Sequence, residues 1–179
     1  MKTPIYLTVI ESPVSPTAQT FALRSSDLED PILNKHVYNG SHCHGENLSP
    51  ELSWDNPPKG TRSFAVVMHD PDSSKEGGWT HWLLFDIPVE TRELPTGSGT
   101  VGTKTAFKEG VQSLNDFDGY GYGGPCPPKD GPSHRYEIAV YALKTDILGL
   151  HQDARPSLVR SHIERNSLGK AVIVTHYSS

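Results

Sequence analysis

The chain has 179 residues, with 16 Lys and Arg against 21 acidic side chains, a formal charge of −5, 35% hydrophobic residues, 16 glycines and 15 prolines. This length buries roughly 70% of its unfolded surface, so one domain over residues 1–179 is expected, without staples. No Lys/Arg run occurs, which argues against nucleic acid or an anionic membrane as partner, and no apolar run approaches the ~20 residues of a membrane span.

Residues 1–19 read as a loose lead-in, with Pro4, Pro13 and Pro16. Pro4 and Glu11 interrupt its short apolar piece, so it does not read as a signal peptide, and the expected location is cytoplasmic. Cys43 and Cys126 are too few for a disulfide framework and are expected as thiols in that compartment, unless the fold brings the two loops together.

"TFALRSS" (20–26) reads as a strand, and residues 27–50 as loop. A short strand around Leu52–Trp54 precedes a Pro-Pro-Lys-Gly turn. "RSFAVVMHDPD" is a strong strand: Phe64 to Met68 are continuously apolar, and Asp70-Pro71-Asp72 stops them. "GWTHWLLFDIP" is the next strand, ending at Pro88, and the turn "SSKEGG" between the two suggests a hairpin or neighbours in one sheet. Residues 118–136, "DGYGYGGPCPPKDGPSHRY", carry too much Gly and Pro for a helix or a central strand. "HRYEIAVYALKT" alternates at Tyr136, Ile138, Val140 and Ala142 and reads as a third strong strand. "DILGL" reads as a short helical turn. "RPSLVRSHIERNSLG" has Leu158, Val159, His162, Ile163 and Asn166 at helical spacing, with Pro156 near its start and Gly169 after its end. "KAVIVTHY" closes the series as a strand. The order predicts a mostly-β sandwich with a few short peripheral helices.

Each strong strand carries polar groups at a comparable end. The first ends in Asp70 and Asp72, the second begins with Trp79 and His81, and the third begins with His134, Arg135 and Tyr136. Polar ends beside aromatics and a stiff loop suggest one shared pocket. In "GGPCPP" the prolines at 125, 127 and 128 lack N–H groups, so Cys126 N–H is the lone donor of that stretch and a candidate anion contact. The two histidines and the Tyr136 hydroxyl supply further donors, and Asp70 can orient a histidine or accept from an ammonium group. Arg135 is out of phase with His134 and Tyr136, which points to a structural ion pair. Trp79 and Trp82 alternate with His81, so one set is expected in the core. Singly these signals are weak: a histidine beside a strand is more often structural, and Asp-Pro-Asp is a common turn. Their set, in order, is specific.

That set resembles a known family. "GENLSPELSW" (45–54), "FAVVMHDPD" (64–72), "WTHWLLFDIP" (79–88), "NDFDGYGYGGPCPP" (115–128) and "HRYEIAVYAL" (134–143) are similar to segments of the phosphatidylethanolamine-binding proteins, also called Raf kinase inhibitor-like, above all their prokaryotic branch. The resemblance implies an antiparallel β-sandwich with a small pocket at one end for phosphate-like or carboxylate anions and phospholipid head groups. Carried over by residue, the pocket is Asp70, Trp79, His81, His134 and Tyr136. Gly124, Pro125 and Cys126 form its rim, and Asp72 is a further candidate. It implies a protein that acts by binding, without cofactor or metal, with kinase or protease inhibition and a homodimer as extensions. The departures are His42 and His44 flanking Cys43, and residues 151–179, which match loosely where ligand size is set.

Three other readings stand beside it. Asp70, Asp72, His81 and His134 would serve a hydrolase, with or without a metal ion, although neither an HExxH spacing nor a G-x-S-x-G elbow occurs. Cys126 would be a nucleophile if a base lowered its pKa. "HCHGE" (42–46) would be a metal or redox site, and in a variant of it Cys43 pairs with Cys126, since both lie in loops of the matching segments.

Overall fold

The continuous apolar run Phe64–Met68 has a simple cause: the strand that holds it is covered on both sides. In this computed structural model, which describes residues 19–179, all eight residues of β5 (Ser63–Asp70) are buried. Of the lead-in expected over residues 1–19, residues 1–18 lie outside the described residues.

β5 forms a five-stranded antiparallel sheet with β6 (Trp79–Pro88), β8 (Val111–Gln112), β9 (His134–Leu143) and β10 (Ser167–Tyr177). The order is β10-β9-β5-β6-β8, so β5 is the middle strand. Residues of alternate phase point to opposite faces. Phe64, Val66 and Met68 join Trp82, Leu84, Tyr136, Ile138 and Val140 in one core. That core is closed by a second antiparallel sheet of β1 (Ala22–Arg24), β4 (Leu52–Asp55) and β7 (Glu93–Leu94), in the order β1-β4-β7, through the buried Leu52, Trp54 and Leu94. Trp54 meets Phe64 edge-on at 5.4 Å. Ala65, Val67, Leu83, Phe85, Ala139, Tyr141 and Leu143 face the other way, under α1 (Pro156–Asn166). The fold is therefore the expected mostly-β antiparallel sandwich, with the helix on the outer face of the larger sheet.

The helix starts at Pro156, where a missing N–H costs nothing. Of its periodic residues only Val159 and Ile163 are buried. It ends at Asn166, three residues before Gly169, because β10 begins at once with Ser167. Two expectations need correction. "DILGL" is not helical; Asp86 accepts the Leu148 N–H at 2.8 Å and pins the segment to the end of β6. Residues 27–50 are not all loop: they hold a 3-10 turn (Asn34–His36) and a two-stranded hairpin, β2 (Asn39–Gly40) with β3 (Cys43–His44).

Candidate functional site

Strand direction places the polar residues together. β5 runs toward one end of the sheet, and its antiparallel neighbours β6 and β9 both start there. Asp70 pairs in register with Trp79, and His69 with Glu137. Asp70, Trp79, His81, His134 and Tyr136 therefore gather at one end of the sandwich and line a cavity of about 400 Å³, with Cys126 on its wall.

A register irregularity completes the set. Met68 pairs with Trp82 and His69 with Thr80, so His81 is an extra residue in β6. Such a bulge breaks alternation and re-aims a side chain. Trp82 and His81 are thus both turned to the inner face: Trp82 packs in the core, and the His81 ring stands edge-on to Tyr136 at 5.3 Å. The alternation expected of Trp79, His81 and Trp82 does not hold here.

Asp70 does three things. Its Oδ2 accepts from His134 Nδ1 at 2.7 Å, and its Oδ1 accepts the N–H groups of Asp72 (2.8 Å) and Ser73 (3.1 Å). The carboxylate thereby orients His134, as expected, and fixes the turn after β5. His81 Nδ1–H donates to the Gly123 carbonyl at 2.7 Å. Burial pushes His81 down to about 4, so the ring is neutral at pH 7 and carries its lone pair at Nε2. This corrects the expectation that both histidines are simple donors: His81 accepts unless it takes up a proton. Burial likewise raises the Tyr136 phenol, which stays O–H. The Tyr136 hydroxyl and the Trp79 Nε1–H are buried and have no partner among the described residues.

Three candidates lie elsewhere. Asp72 turns outward and takes Arg135 in a forked ion pair, with contacts of 2.8 Å from Nη2 and 3.0 Å from Nε. Hydrogen bonds from Arg135 hold its carboxyl down at about 2. The ion pair expected of Arg135 is present, and its partner is Asp72. Gly124 and Pro125 stand behind the cavity wall. Gly124 N–H donates to Asn47 at 2.8 Å, Pro125 O accepts from Tyr38 N–H at 3.1 Å, and a Cβ on Gly124 would lie 2.1 Å from the His36 carbonyl. Both fix the loop that presents Cys126.

Cys126 is not a thiol. It forms a disulfide with Cys43, at a Cα–Cα distance of 5.9 Å. The contacts of Gly124 and Pro125 with residues 36–47 bring the two loops together, which no reading of either loop alone reveals. A disulfide sulfur has no thiolate to attack with, so Cys126 is not a nucleophile in this state. Nor do Asp70, Asp72, His81 and His134 form a metal cage. Among the described residues, the one group of three or more such side chains with ligand atoms within 4.8 Å is His42, Cys43 and Cys126.

Sequence reasoning missed the aromatic wall. Phe117 stacks on Tyr38 at 4.2 Å and meets Trp79 edge-on at 5.1 Å, and both Phe117 and Tyr38 line the cavity. Phe117 is held by an Asn115 turn, in which Asn115 Oδ1 accepts the Phe117 N–H at 2.9 Å. The Asn-Asp-Phe-Asp-Gly string was the available signal. Tyr38, in a stretch read as loop, gave none.

Comparison with known proteins supplies the family. The model of the phosphatidylethanolamine-binding protein family matches residues 14–178. The UPF0098 protein YbcL of Escherichia coli (strain K12) is 37% identical over 99% of this chain and 98% of its own length, and YbhB of the same organism is 39% identical over 87% and 99%. The crystal structure of E. coli YbcL, described as a new member of the mammalian PEBP family, superposes with a TM-score of 0.85 at 35% identity, covering 89% of this chain and 98% of that one. A homologue from Chlamydia trachomatis superposes at 0.72 with 26% identity, covering 89% and 97%. The chain belongs to the phosphatidylethanolamine-binding protein family.

Proposed function

We propose that this protein binds a small oxyanion, as free phosphate or carboxylate or as a phospholipid head group, in the cavity at the end of the larger sheet, and that it acts by binding rather than turnover. The observation that carries the reading is a pair of buried donors with no partner among the described residues, Tyr136 O–H and Trp79 N–H, beside the oriented His134. Buried polar groups are paired in folded proteins, so two orphaned donors on one cavity ask for an acceptor. Among the described residues no Lys or Arg lines the cavity, so the anion is held by neutral donors and by protons on imidazole or ligand. The wall of Tyr38, Trp79 and Phe117 suits the ammonium of an ethanolamine head.

Calorimetric titration with phosphate and with phosphoethanolamine, on wild type and His134→Ala, tests the reading. Binding by wild type that is lost in the variant supports it; no binding by wild type at millimolar ligand overturns it. His81 must gain a proton or meet a protonated oxyanion, so affinity rises as the pH falls from 8 to 6, by up to about tenfold per unit. Control of a kinase or protease would follow from occupancy of the cavity, and ultracentrifugation tests the homodimer that the resemblance implies. Among the described residues no helix is long and apolar enough to cross a membrane. The disulfide favours an oxidising compartment over the expected cytoplasm, since thiols are kept reduced there. Trapping of free thiols at lysis decides between them.

A further inference from the structure

His42, Cys43 and Cys126 converge at the cavity rim from two loops. His42 Nε2 lies 3.7 Å from Cys126 Sγ, and the three potential ligand atoms all fall within 4.8 Å of one another. Cys43 is buried, Cys126 half-buried and His42 exposed, so the group has a packed floor and an open side. A tetrahedral zinc ion with Zn–S near 2.3 Å and Zn–N near 2.0 Å sets its ligand atoms about 3.5 Å apart for N and S and about 3.8 Å apart for two sulfurs. From Cys126 Sγ, His42 Nε2 is already close to the first of these spacings. Only the sulfur–sulfur bond stands between the disulfide and the second, and a Cα–Cα distance of 5.9 Å leaves both side chains able to reach one ion.

We propose that the dithiol form of this trio is a metal site, in which the Cys43 and Cys126 thiolates and His42 Nε2 hold one thiophilic cation, zinc(II) first among them, with solvent in the fourth position. Two thiolates and an imidazole match the preference of zinc for sulfur and nitrogen. A dithiol reductant supplies two electrons and two protons. The S–S bond breaks, two S–H bonds form, and the reductant leaves as its own disulfide. Zinc then displaces both thiol protons to solvent. His42 now places a proton on Nε2 toward the Pro127 carbonyl at 3.0 Å; that proton moves to Nδ1 through solvent, and the Nε2 lone pair turns to the metal. The same two sulfurs serve either the bond or the ion, so the two states exclude each other. The site shares Cys126 with the cavity wall but uses none of the donors Tyr136, Trp79 and His134, so either reading can fail without the other.

The test uses full-length protein reduced with a water-soluble phosphine, which becomes its oxide, under argon. Cobalt(II) is the spectroscopic probe, zinc the displacing ion, and a chromophoric chelator the competitor. Reduced wild type should take one cobalt with thiolate charge-transfer and tetrahedral visible bands, which one equivalent of zinc abolishes. Oxidised wild type and Cys43→Ser should show neither. His42→Ala, an exposed substitution, should bind zinc at least about tenfold more weakly. Metal binding is coupled to folding, so zinc should also raise the melting temperature of the reduced chain, a readout that stands even if reduction loosens the hairpin. Three results overturn the proposal: no cobalt–thiolate band in reduced wild type, zinc binding no tighter than in Cys43→Ser, or full affinity in His42→Ala.

Discussion

Asp70 and Asp72 are two residues apart, and each takes a cationic or imidazole partner from the first residues of β9. Asp70 and His134 are 5% and 9% exposed, whereas Asp72 and Arg135 are 31% and 51% exposed. The outer pair has the better fork, yet water screens it, and such pairs are worth at most about 1 kcal/mol. The inner pair has one contact between side chains, but Asp70 also holds two backbone N–H groups of the turn. Position relative to solvent, more than the number of contacts, decides which pair matters.

The largest effect should come from Asp70→Ala. It strands the His134 ring and two turn amides in a buried site, and should cost about 3–5 kcal/mol in urea unfolding, with loss of anion binding. A cost below about 1 kcal/mol would put the inner pair on a par with the outer one. Next comes pH. His81 stays neutral in the fold down to about 4 but titrates near 6.5 when unfolded. The unfolded chain therefore binds more protons between those values, so stability falls as the pH drops from 6.5 to 4 and levels off below. The loss from His81 is on the order of 3 kcal/mol. His69, lowered to about 4 by burial and then by Arg160, adds in the same direction. His81→Gln should flatten the profile; an unchanged slope would assign it to other groups. Tyr136→Phe removes one donor from the cavity and leaves the packing, so phosphate affinity should fall about fivefold to tenfold with the melting temperature little changed. The smallest effect is Asp72→Ala, at or below about 1 kcal/mol, measured at pH 7. That contribution is present above pH 3.8 and is lost as the pH falls through about 2. Anion affinity should not change, and a large change would return Asp72 to the cavity.

The parts of the fold that were legible are those where one strand's own pattern decides. Phe64–Met68 and the alternation from Tyr136 to Ala142 announce their burial residue by residue, and the antiparallel order then brings Asp70, Trp79, His134 and Tyr136 to one end. What was not legible depends on pairing between distant segments. The bulge at His81 is a property of register with β5, and nothing in "WTHWLLF" distinguishes it from a regular strand. The disulfide depends on Gly124 and Pro125 docking against residues 36–47. The two-residue strands β2, β3, β7 and β8 are too short to show a period. Phe117 and Tyr38 became a wall only by stacking across the gap between their loops.

The position of β9 between β5 and β10 also has a consequence for synthesis on the ribosome. β6 follows β5 closely in the sequence, but the second edge of β5 is filled only when His134–Leu143 emerges, after the whole stretch from Pro71 to Ser133 has been made. Through that interval an eight-residue strand, rich in apolar side chains on both faces, stands with an open edge, the arrangement most prone to pairing with another chain. Translation speed across the loop that later walls the cavity thus sets how long the nascent protein is exposed to aggregation.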